Sequence, residues 1–512
     1  MKKIIFTLFA AALVSMAMAQ TPVPAGSVSG TWTSTGSPYL IQGDIVIDNG
    51  NTLTIEPGVR IEFQGLYNLA VQGRLLAVGS ATDSILFTAL DTVTGFNSVH
   101  FDNTPSSNDS SLFVYCRLEH GHRQGSPWPY NGSGAIGVRA FGKIRIDHCS
   151  FFHNHALNNL VSGYPGGGAV GLIQASILIQ NCLFEENECY YGGALIAFDH
   201  SYPIINNCVF KNNSAVDGGG AISVNDASSP TIMNSIFIGN ISNSRGGGIY
   251  IAPANNTSVS SDPEIKGNVF YDNHALSDGG AVEIMAPAFP VLSNNTMLGN
   301  TAVRGGALDI FNSDPVVNSC ILWGNVATEG NQVYIWNELS APGFYFSDIE
   351  GGSGAFGGAQ FSGPYLNNIE DQPLFCDTAA MDFHLQDCSP CIDLGDTACI
   401  ASNGTRCDIG AYDGGYCPCV GIEAHDGNTA AIRIFPMPVH DQCRIRYELA
   451  GTGNVCIEIV DLHGRVVMEI LRAYQNSGIL EQTTNLSTLH PGFYLCRITH
   501  GSGVSSARII KY

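Results

Sequence analysis

The chain has 512 residues, more than one ordinary domain, so two or three folding units are expected. It carries 22 basic and 44 acidic residues, a formal net charge of -22, which argues against nucleic acid or anionic lipid as a partner. Hydrophobic residues make up 45% of the chain, which argues against disorder, while charged residues reach only 13%. The 59 glycines and 39 asparagines favour turns and short strands over helices.

The first 19 residues predict a secretory signal. Two lysines precede an apolar run over residues 4–14, and small residues at 17 and 19 form a cleavage site before Gln20. The run is too short to span a bilayer comfortably, and no later stretch approaches 18 apolar residues. We therefore expect a mature chain without a transmembrane segment, exported through the inner membrane. Its 16 cysteines then lie in an oxidising compartment.

A repeat of about 25–27 residues dominates the middle of the chain. Each unit has a glycine pair, a small residue and then alternating apolar residues. The small-residue position falls at Ala169, Ala194, Ala221, Gly248, Ala281 and Ala307, and the next unit places Gln332 there. Each unit also has a large apolar residue followed by an asparagine three positions later. These asparagines are Asn154, Asn187, Asn213, Asn240, Asn273, Asn300 and Asn325. Such a period, with short strands and glycine turns, is typical of a solenoid.

An all-β, parallel β-helix explains each feature of this repeat. Equivalent residues of successive coils lie about 4.8 Å apart, so apolar residues stack into inner columns and the asparagines form a structural ladder of amide hydrogen bonds. Helical and leucine-rich repeats lack support because their Leu and Ala skeletons are missing. Alternating apolar residues from Ile45 to Phe87 extend the pattern upstream, and the helix is expected to begin near Trp32. We predict about a dozen coils within residues 20–375.

The repeat resembles the right-handed β-helix units of secreted bacterial surface proteins, in particular the Gly-Gly-Ala-Ile and Phe-x-x-Asn units of polymorphic outer-membrane-protein-type passengers. The resemblance covers about residues 145–340. It implies a rod on a secreted or cell-surface protein.

Residues 376–419 form a cysteine-rich segment. Its cysteines are Cys376, Cys388, Cys391, Cys399, Cys407, Cys417 and Cys419. Two close pairs leave zinc as an alternative, but a secreted chain with irregular spacing favours disulfides, and an odd number leaves one thiol free or paired elsewhere. The sequence from Asp382 to Asp413 resembles the closing segment of anchored bacterial β-helix proteins. This resemblance implies a C-terminal cap that ends the exposed sheets of the rod. Its aspartates Asp393, Asp396, Asp408 and Asp413 are candidate Ca²⁺ ligands, although turn roles are favoured.

Residues 420–429 are predicted as a linker, and residues 430–512 as a small β-sandwich with alternating strands and regular turns. This last segment resembles a type IX secretion sorting domain. The resemblance rests on Pro436, Pro438, Asp461, Gly464, Arg465, Gly492 and Tyr494. Phe435-Pro-Met-Pro438 departs from the Tyr-Pro-Asn-Pro of the family. The resemblance implies recognition by the type IX machinery, export across the outer membrane, and removal of the tail as the passenger is linked to the surface or released.

The charge distribution separates these parts. Residues 430–512 hold eight basic and six acidic residues, whereas residues 20–429 hold twelve and 38. The acidic character therefore belongs to the rod and the cysteine-rich segment, and the tail is nearly neutral.

One outward column of the rod is the candidate ligand or cation surface. Two positions after the small residue, neighbouring coils place Tyr250, Glu283, Asp309 and Tyr334. Paired carboxylates recruit a cation or share a proton, and tyrosines offer flat faces to sugars. The alternative is a solvated face with weak ion pairs, including a charge ladder of Arg245, Asp278 and Arg304. A further column, Cys149, Cys182 and Cys208, is interpreted as small core side chains, with an inter-coil disulfide as the alternative.

The sequence leaves two functions open. The sequence contains no recognisable catalytic motif. A lyase needs a basic residue beside Ca²⁺-binding acids, and no such cluster is found, while the hydrolase motifs are missing. This favours a non-enzymatic adhesin, or a passenger that binds an extracellular glycan or a host or matrix protein, with no cofactor other than a possible Ca²⁺. The alternative is a polysaccharide lyase or glycoside hydrolase, because the same fold carries both kinds of protein.

Overall fold

The computed structural model contains two compact units, Met1–Cys417 and Pro418–Tyr512. The described residues are 20–123, 133–156, 166–252, 259–402, 404–418, 432–435, 439, 441–449, 451–460, 465–490, 492–500 and 503–511. Among them the secondary structure is β-strand apart from three short 3-10 helices, Ser34–Gly36, Ser353–Ala355 and Thr378–Ala380. The predicted signal at residues 1–19 and the predicted linker at 420–429 lie outside the described residues.

The first unit is a parallel β-helix of thirteen coils within the described residues. Each coil contributes one strand to each of three long parallel sheets, in the chain order first, second, third sheet. With one coil about every 4.8 Å, thirteen coils give a rod about 58 Å long, consistent with the predicted dozen. The rod begins earlier than expected from the sequence, because Thr21–Val23 already pairs with Tyr39–Ile41.

The strands are short and follow one another in register. The first sheet contains Thr21–Val23, Tyr39–Ile41, Arg60–Phe63, Ile85–Ala89, Cys116–Glu119, Ser150–Phe152, Leu183–Glu185, Val209–Lys211, Ile236–Ile238, Val269–Tyr271, Thr296–Leu298, Ile321–Trp323 and Asp348–Ile349. The second sheet contains Gly26–Ser27, Ile45–Ile47, Asn68–Val71, Ser98–Asp102, Ile136–Arg139, Val170–Ile173, Leu195–Phe198, Ile222–Val224, Ile249–Ile251, Val282–Met285, Leu308–Phe311, Val333–Ile335 and Gly357–Gly358. The third sheet contains Gly30–Trp32, Thr52–Ile55, Arg74–Val78, Ser111–Val114, Ile144–Asp147, Leu178–Gln180, Ile204–Asn206, Thr231–Met233, Glu264–Lys266, Val291–Ser293, Val316–Asn318, Gly343–Tyr345 and Tyr365–Leu366.

A fourth, shorter sheet lies between the first and the second in the later coils. It contains His155–Ala156, Glu188–Cys189, Ser214–Ala215, Ile241–Ser242, His274–Ala275, Thr301–Arg304 and Val326–Glu329. The glycine pair follows these strands, where successive coils approach most closely. A Cβ atom at Gly193 would collide with the carbonyl oxygen of Gly220 in the next coil. The repeat therefore requires glycine here for space.

The core of the rod consists of stacked inward side chains. Alternation along each strand directs every second residue inward, and parallel register then places like residues above one another. The rings of Phe151, Phe184, Phe210, Phe237 and Phe270 stack with centroids 4.6–4.9 Å apart, and their planes are nearly parallel. All five rings are fully buried, so this column continues through five coils without a gap.

The end of the rod and its flank are covered by different segments. Phe344, Phe356 and Phe361 pack ring against ring at the last coils, with centroids 5.0–5.9 Å apart. The cysteine-rich segment, predicted to end the exposed sheets, packs along the side of these coils. The Asp408 carbonyl accepts from the Asn294 amide, and the Ala411 N–H donates to the Thr296 hydroxyl.

Disulfides crosslink the cysteine-rich segment. Cys376 is bonded to Cys417, Cys399 is bonded to Cys407, and Cys388 is also disulfide-bonded. Cys391 is a free, fully buried thiol that donates to Asp348 Oδ2 at 3.1 Å. It is an unpaired thiol of the kind that the odd cysteine count predicts.

The second unit is a small antiparallel β-sandwich. One sheet contains Ile432–Phe435, Gln442–Leu449 and Gly478–Asn485, and the other contains Val466–Gln475, Gly453–Val460, Gly492–His500 and Gly503–Lys511. Ile445 and Tyr447 of the first sheet share one buried core with Ile457 and Ile498 of the second.

Candidate functional site

The predicted outward column lies in four neighbouring strands of the second sheet. Tyr250 pairs with Glu283, Glu283 with Asp309, and Asp309 with Tyr334, each in parallel register. The glycine pattern sets this register, because the small residue precedes each column member by two positions. The two carboxyl groups, called the acid pair below, therefore belong to adjacent coils.

The acid pair is buried, which corrects the expectation of a solvated face. Glu283 is 2% exposed and Asp309 is fully buried. Their side chains do leave the core column, since each alternates with inward aliphatic neighbours. Long side chains from other repeat positions shield the two carboxyl groups from solvent. Strand alternation alone does not predict which side chains do so.

Trp336 and Arg304 form the cover over Asp309. The indole Nε1–H of Trp336 donates to Asp309 Oδ1 at 2.7 Å. The guanidinium of Arg304 lies 3.8 Å from the centroid of the Trp336 ring, and its Nε–H donates to Asp278 Oδ1 at 2.6 Å. The predicted charge ladder is thus present as backbone bridges that join Asp278 to Arg245 and to Arg304.

On the Glu283 side the cover includes a methionine. The Arg245 guanidinium and the Tyr250 hydroxyl both donate to Met285 Sδ, at 3.2 and 3.1 Å. Glu283 Oε2 and Asp309 Oδ2 are buried without a hydrogen-bond partner in the described part of the chain. A buried, unpartnered oxygen carries a high desolvation cost when its carboxylate is ionised. Protonation of the carboxyl group lowers that cost.

Burial dominates the electrostatics of the acid pair. It raises the pKa of Glu283 well above the usual range, and the negative charges of Asp309 and Asp278 add to this shift against the attraction of Arg245. Burial and the charge of Asp278 raise the pKa of Asp309 to about 8, against the Trp336 hydrogen bond. Both shifts favour the protonated form of the carboxyl groups. Chemically it is suited to proton sharing between coils, and its burial separates it from a polymer outside the rod.

The asparagine ladder occupies the turn after the first sheet. Each Nδ2 donates to Oδ1 of the asparagine in the next coil at 2.8–2.9 Å, from Asn154 through Asn325. Each Nδ2 also donates to a backbone carbonyl of the preceding coil, as Asn240 does to Phe210. The last amide donates to Gln332 Oε1 at 2.7 Å. The seven side chains are 0–2% exposed and serve the backbone.

A second ladder extends beyond the predicted thiol column. It consists of Cys116, Cys149, Cys182, Cys208, Ser235, Asn268, Asn295, Cys320, Ser347 and Asn368. In most steps the backbone N–H of one member donates to the side chain of the next, as Cys208 does to Ser235 Oγ at 3.1 Å. The cysteines are free thiols. The sequence signal is a position two residues before the large apolar residue, which accepts Cys, Ser or Asn.

The carboxylates of three candidate Ca²⁺ ligands accept hydrogen bonds from protein groups. Asp408 accepts from the Asp393 N–H at 2.8 Å and from the Tyr416 hydroxyl at 2.7 Å, and Asp396 accepts from the Asn318 amide at 2.7 Å. Asp413 accepts a longer bond from the backbone of Asp408.

Three potential ligand atoms come together elsewhere. Within the described residues, the group with mutually close ligand atoms is Cys456, Glu458 and Glu469. Arg497 and Arg472 already pair with its two carboxylates at 2.7 Å. These arginines therefore supply the positive charge that the carboxylates attract.

The sorting-domain motif is described in part. Pro436, Pro438, Asp461 and Gly464 lie outside the described residues. Arg465 is exposed, Gly492 begins the strand Gly492–His500, and the Tyr494 hydroxyl donates to the His490 carbonyl at 2.9 Å. In the described part of the chain we find no helix with the length and apolar character needed to cross a membrane.

Comparisons with known proteins match both units. The family described as right handed beta helix region matches residues 96–260, and the secretion system C-terminal sorting domain matches residues 433–512. Protein bark beetle of Drosophila melanogaster is 50% identical over 50 residues, which is 10% of this chain and 2% of that protein. Dimeric latent PorU from Porphyromonas gingivalis is 20% identical over 19% of this chain and 10% of that structure, with a TM-score of 0.14.

The sorting domain indicates export, interaction with the secretion machinery, and a secreted or surface location. The chain is therefore a right-handed β-helix protein that carries a C-terminal sorting domain of the type IX secretion system.

Proposed function

We propose that the rod is a non-enzymatic binding passenger, an adhesin that attaches to an extracellular glycan or to a host or matrix protein. The third sheet supports this proposal. Its outward column includes Leu178, Ile204, Thr231, Glu264, Val291 and Val316, in register through six coils. Ile204, Val291 and Val316 are 47, 44 and 38% exposed.

The aliphatic side chains of this column form two adjacent pairs, Leu178 with Ile204 and Val291 with Val316, on either side of Thr231 and Glu264. Such apolar pairs on a sheet suit adhesion. Contiguous apolar surface on a soluble protein marks interaction sites, and parallel register spaces its side chains about 4.8 Å apart. The row contains one ionisable residue, Glu264, so it offers contact area and little acid or base chemistry. Tyr202 and Phe289 add exposed aromatic rings two residues before Ile204 and Val291.

The test is a binding screen of the full mature chain against immobilised glycans and matrix proteins. Val291→Asp places a charge in the aliphatic row, and we expect it to weaken binding at least about tenfold. Val326→Asp is the matched control, because Val326 is also exposed but lies in the fourth sheet. Equal loss with both variants, or no ligand in the screen, would overturn the proposal.

A polysaccharide hydrolase is the second candidate, and the acid pair is the observation that favours it. Two carboxyl groups in adjacent coils with raised pKa values resemble the acid and base requirements of glycoside cleavage. Their burial opposes this assignment. Release of reducing or unsaturated ends by the wild type, and its loss in Glu283→Gln, would establish the enzyme instead.

A further inference from the structure

A cavity opens between the last coils of the rod and the cysteine-rich segment. Its volume is about 460 Å³, within the range of small-molecule sites, roughly 300–1,000 Å³. It is lined by Phe346, Asn367, Ile369, Leu394, Thr397 and Arg406. The first three belong to the rod and the last three to the cysteine-rich segment.

The rod wall of the cavity contains an aromatic residue in the left-handed region. At the corner after the third sheet, successive coils place Asn294, Ser319, Phe346 and Asn367 in this region, with φ between 52° and 59° at the polar residues and 47° at Phe346. Asparagine tolerates this conformation, but for a bulky residue it is strained. Such strain is concentrated at ligand-binding and catalytic sites. Tyr115 adopts the same conformation at the equivalent corner of an earlier coil, with φ 49°, and Phe346 is the aromatic residue at this corner that lines the cavity.

The opposite wall holds a fixed arginine. Arg406 precedes Cys407, whose disulfide to Cys399 closes a short loop. A bridge between Ile400 and Arg406 and a hydrogen bond from the Cys407 N–H to the Cys399 carbonyl hold the same loop. The Arg406 guanidinium lies 5.1 Å from the centroid of the Phe346 ring.

The Arg406 guanidinium has a donor that no described residue uses. Its Nε–H is buried and has no hydrogen-bond partner among the residues that the structure describes. Asp396 interacts electrostatically with Arg406, but its two oxygens already accept from the Asn318 amide and from the Ala398 N–H. A guanidinium that lines a cavity offers planar N–H donors suited to an anion.

We propose that this cavity binds the carboxylate of an acidic sugar residue, such as a hexuronate. One guanidinium matches one planar carboxylate, whereas a chain of net charge -22 disfavours a more highly charged anion. Asn367 and Thr397 supply an amide and a hydroxyl group for sugar hydroxyls. Phe346, Ile369 and Leu394 offer apolar surface for the C–H face of the ring.

The test is calorimetric titration of the full chain with a glucuronate-terminated trisaccharide. The control ligand is the same trisaccharide with the carboxyl group reduced to a primary alcohol. We expect the acid to bind at least about tenfold more tightly than the alcohol, and Arg406→Gln to abolish this preference. Arg406→Lys keeps the charge but loses the planar fork, so a partial loss is expected.

Phe346→Asn is a second variant, chosen because asparagine is the usual residue at this corner. It should keep or raise the stability of the fold while weakening binding several-fold. Equal binding of acid and alcohol, unchanged binding in Arg406→Gln, or preference for an acidic peptide over the trisaccharide would overturn the inference. The inference and the proposed function fail separately, since Val291→Asp affects the aliphatic row and Arg406→Gln affects the cavity.

Discussion

The rod contains two buried polar columns that differ in how their atoms are satisfied. In the asparagine ladder every side-chain amide bonds to the next coil and to a backbone carbonyl. In the acid pair, Glu283 Oε2 and Asp309 Oδ2 are buried with no partner in the described residues. The ladder lies in the turn after the first sheet and the acid pair in strands of the second sheet, and both run along the rod from coil to coil.

The difference follows from the chemistry of the two side chains. An amide carries donors and an acceptor, so identical residues stacked in register bond to one another without end. A carboxylate only accepts, so two of them in register repel unless one takes up a proton. Asparagine can therefore repeat at one position through seven coils. The acids of this column occur as one neighbouring pair, which other side chains shield from solvent.

The largest expected effect comes from breaking the satisfied column. Asn240→Ala removes four side-chain hydrogen bonds. The Asn213 backbone N–H and the Phe210 carbonyl lose these buried partners, whereas Asn273 Oδ1 keeps the bond from the backbone N–H of residue 240. We expect the free energy of unfolding to fall by about 3–5 kcal/mol, measured by urea denaturation. Asn243→Ala, at an exposed position nearby, is the control and should change it by less than about 0.5 kcal/mol. Similar values for both would show that the ladder does not stabilise the rod.

The acid pair should make stability depend on pH. The pKa of Asp309 is raised from 3.8 to about 8 in the folded state, so folding takes up a proton between these values. This group's contribution to stability is complete below about pH 4 and falls as the pH rises from about 4 to about 8, by up to about 1.4 kcal/mol per pH unit for such a carboxyl group. Glu283→Gln/Asp309→Asn should flatten this dependence in unfolding measurements at several pH values.

Glu264→Gln is the control for this pH series, because Glu264 is an exposed acid on the third sheet. It should leave the slope unchanged. A wild-type protein whose stability does not fall between pH 5 and pH 8 would contradict the protonated state of the pair.

A smaller effect is expected from the cover. Trp336→Phe removes the donor to Asp309 Oδ1, so this oxygen joins Oδ2, which already has no partner among the described residues. The hydrogen bond lowers the pKa of Asp309, and its loss should raise that pKa further and cost about 1–2 kcal/mol at neutral pH. Unfolding curves at two pH values measure both changes. Trp323→Phe in the first sheet is the comparison, and an equal pH response in both variants would rule out the proposed contact.

The smallest effect on stability is expected in the second ladder, whose side chains can be compared with those of the asparagine ladder. Cys208→Ser should change stability by less than about 1 kcal/mol, because Ser235 fills the same position in the next coil. Cys208→Val keeps the volume but cannot donate or accept, and should cost about 1–2 kcal/mol more in the same urea titration. The reverse order of the two variants would show that packing alone decides this position.

The sequence was informative wherever a residue type repeats with the coil. Asn240 and Phe237 recur at fixed spacing, so the ladder and the aromatic column follow from the period together with strand geometry. The pairing of Glu283 with Asp309 follows from the same register. These features depend on the backbone path, which the glycine pairs and alternating apolar residues specify.

Features that depend on non-repeating side chains could not be derived in this way. The burial of Asp309 results from Trp336, which occurs once, and from a guanidinium whose direction no repeat specifies. The cavity at Arg406 requires the cysteine-rich segment to pack on the flank of the rod, and that packing involves contacts more than 70 residues apart in the chain.

The most direct measurement compares the full wild-type chain with Glu283→Gln/Asp309→Asn for two readouts on one ligand panel. These are retention of the protein on immobilised glycans and matrix proteins, and release of sugar end groups. We predict that both proteins bind the same ligand with affinities within about threefold and that neither releases sugar end groups. End-group release by the wild type that disappears in the double variant would contradict it, since the buried pair would then be catalytic.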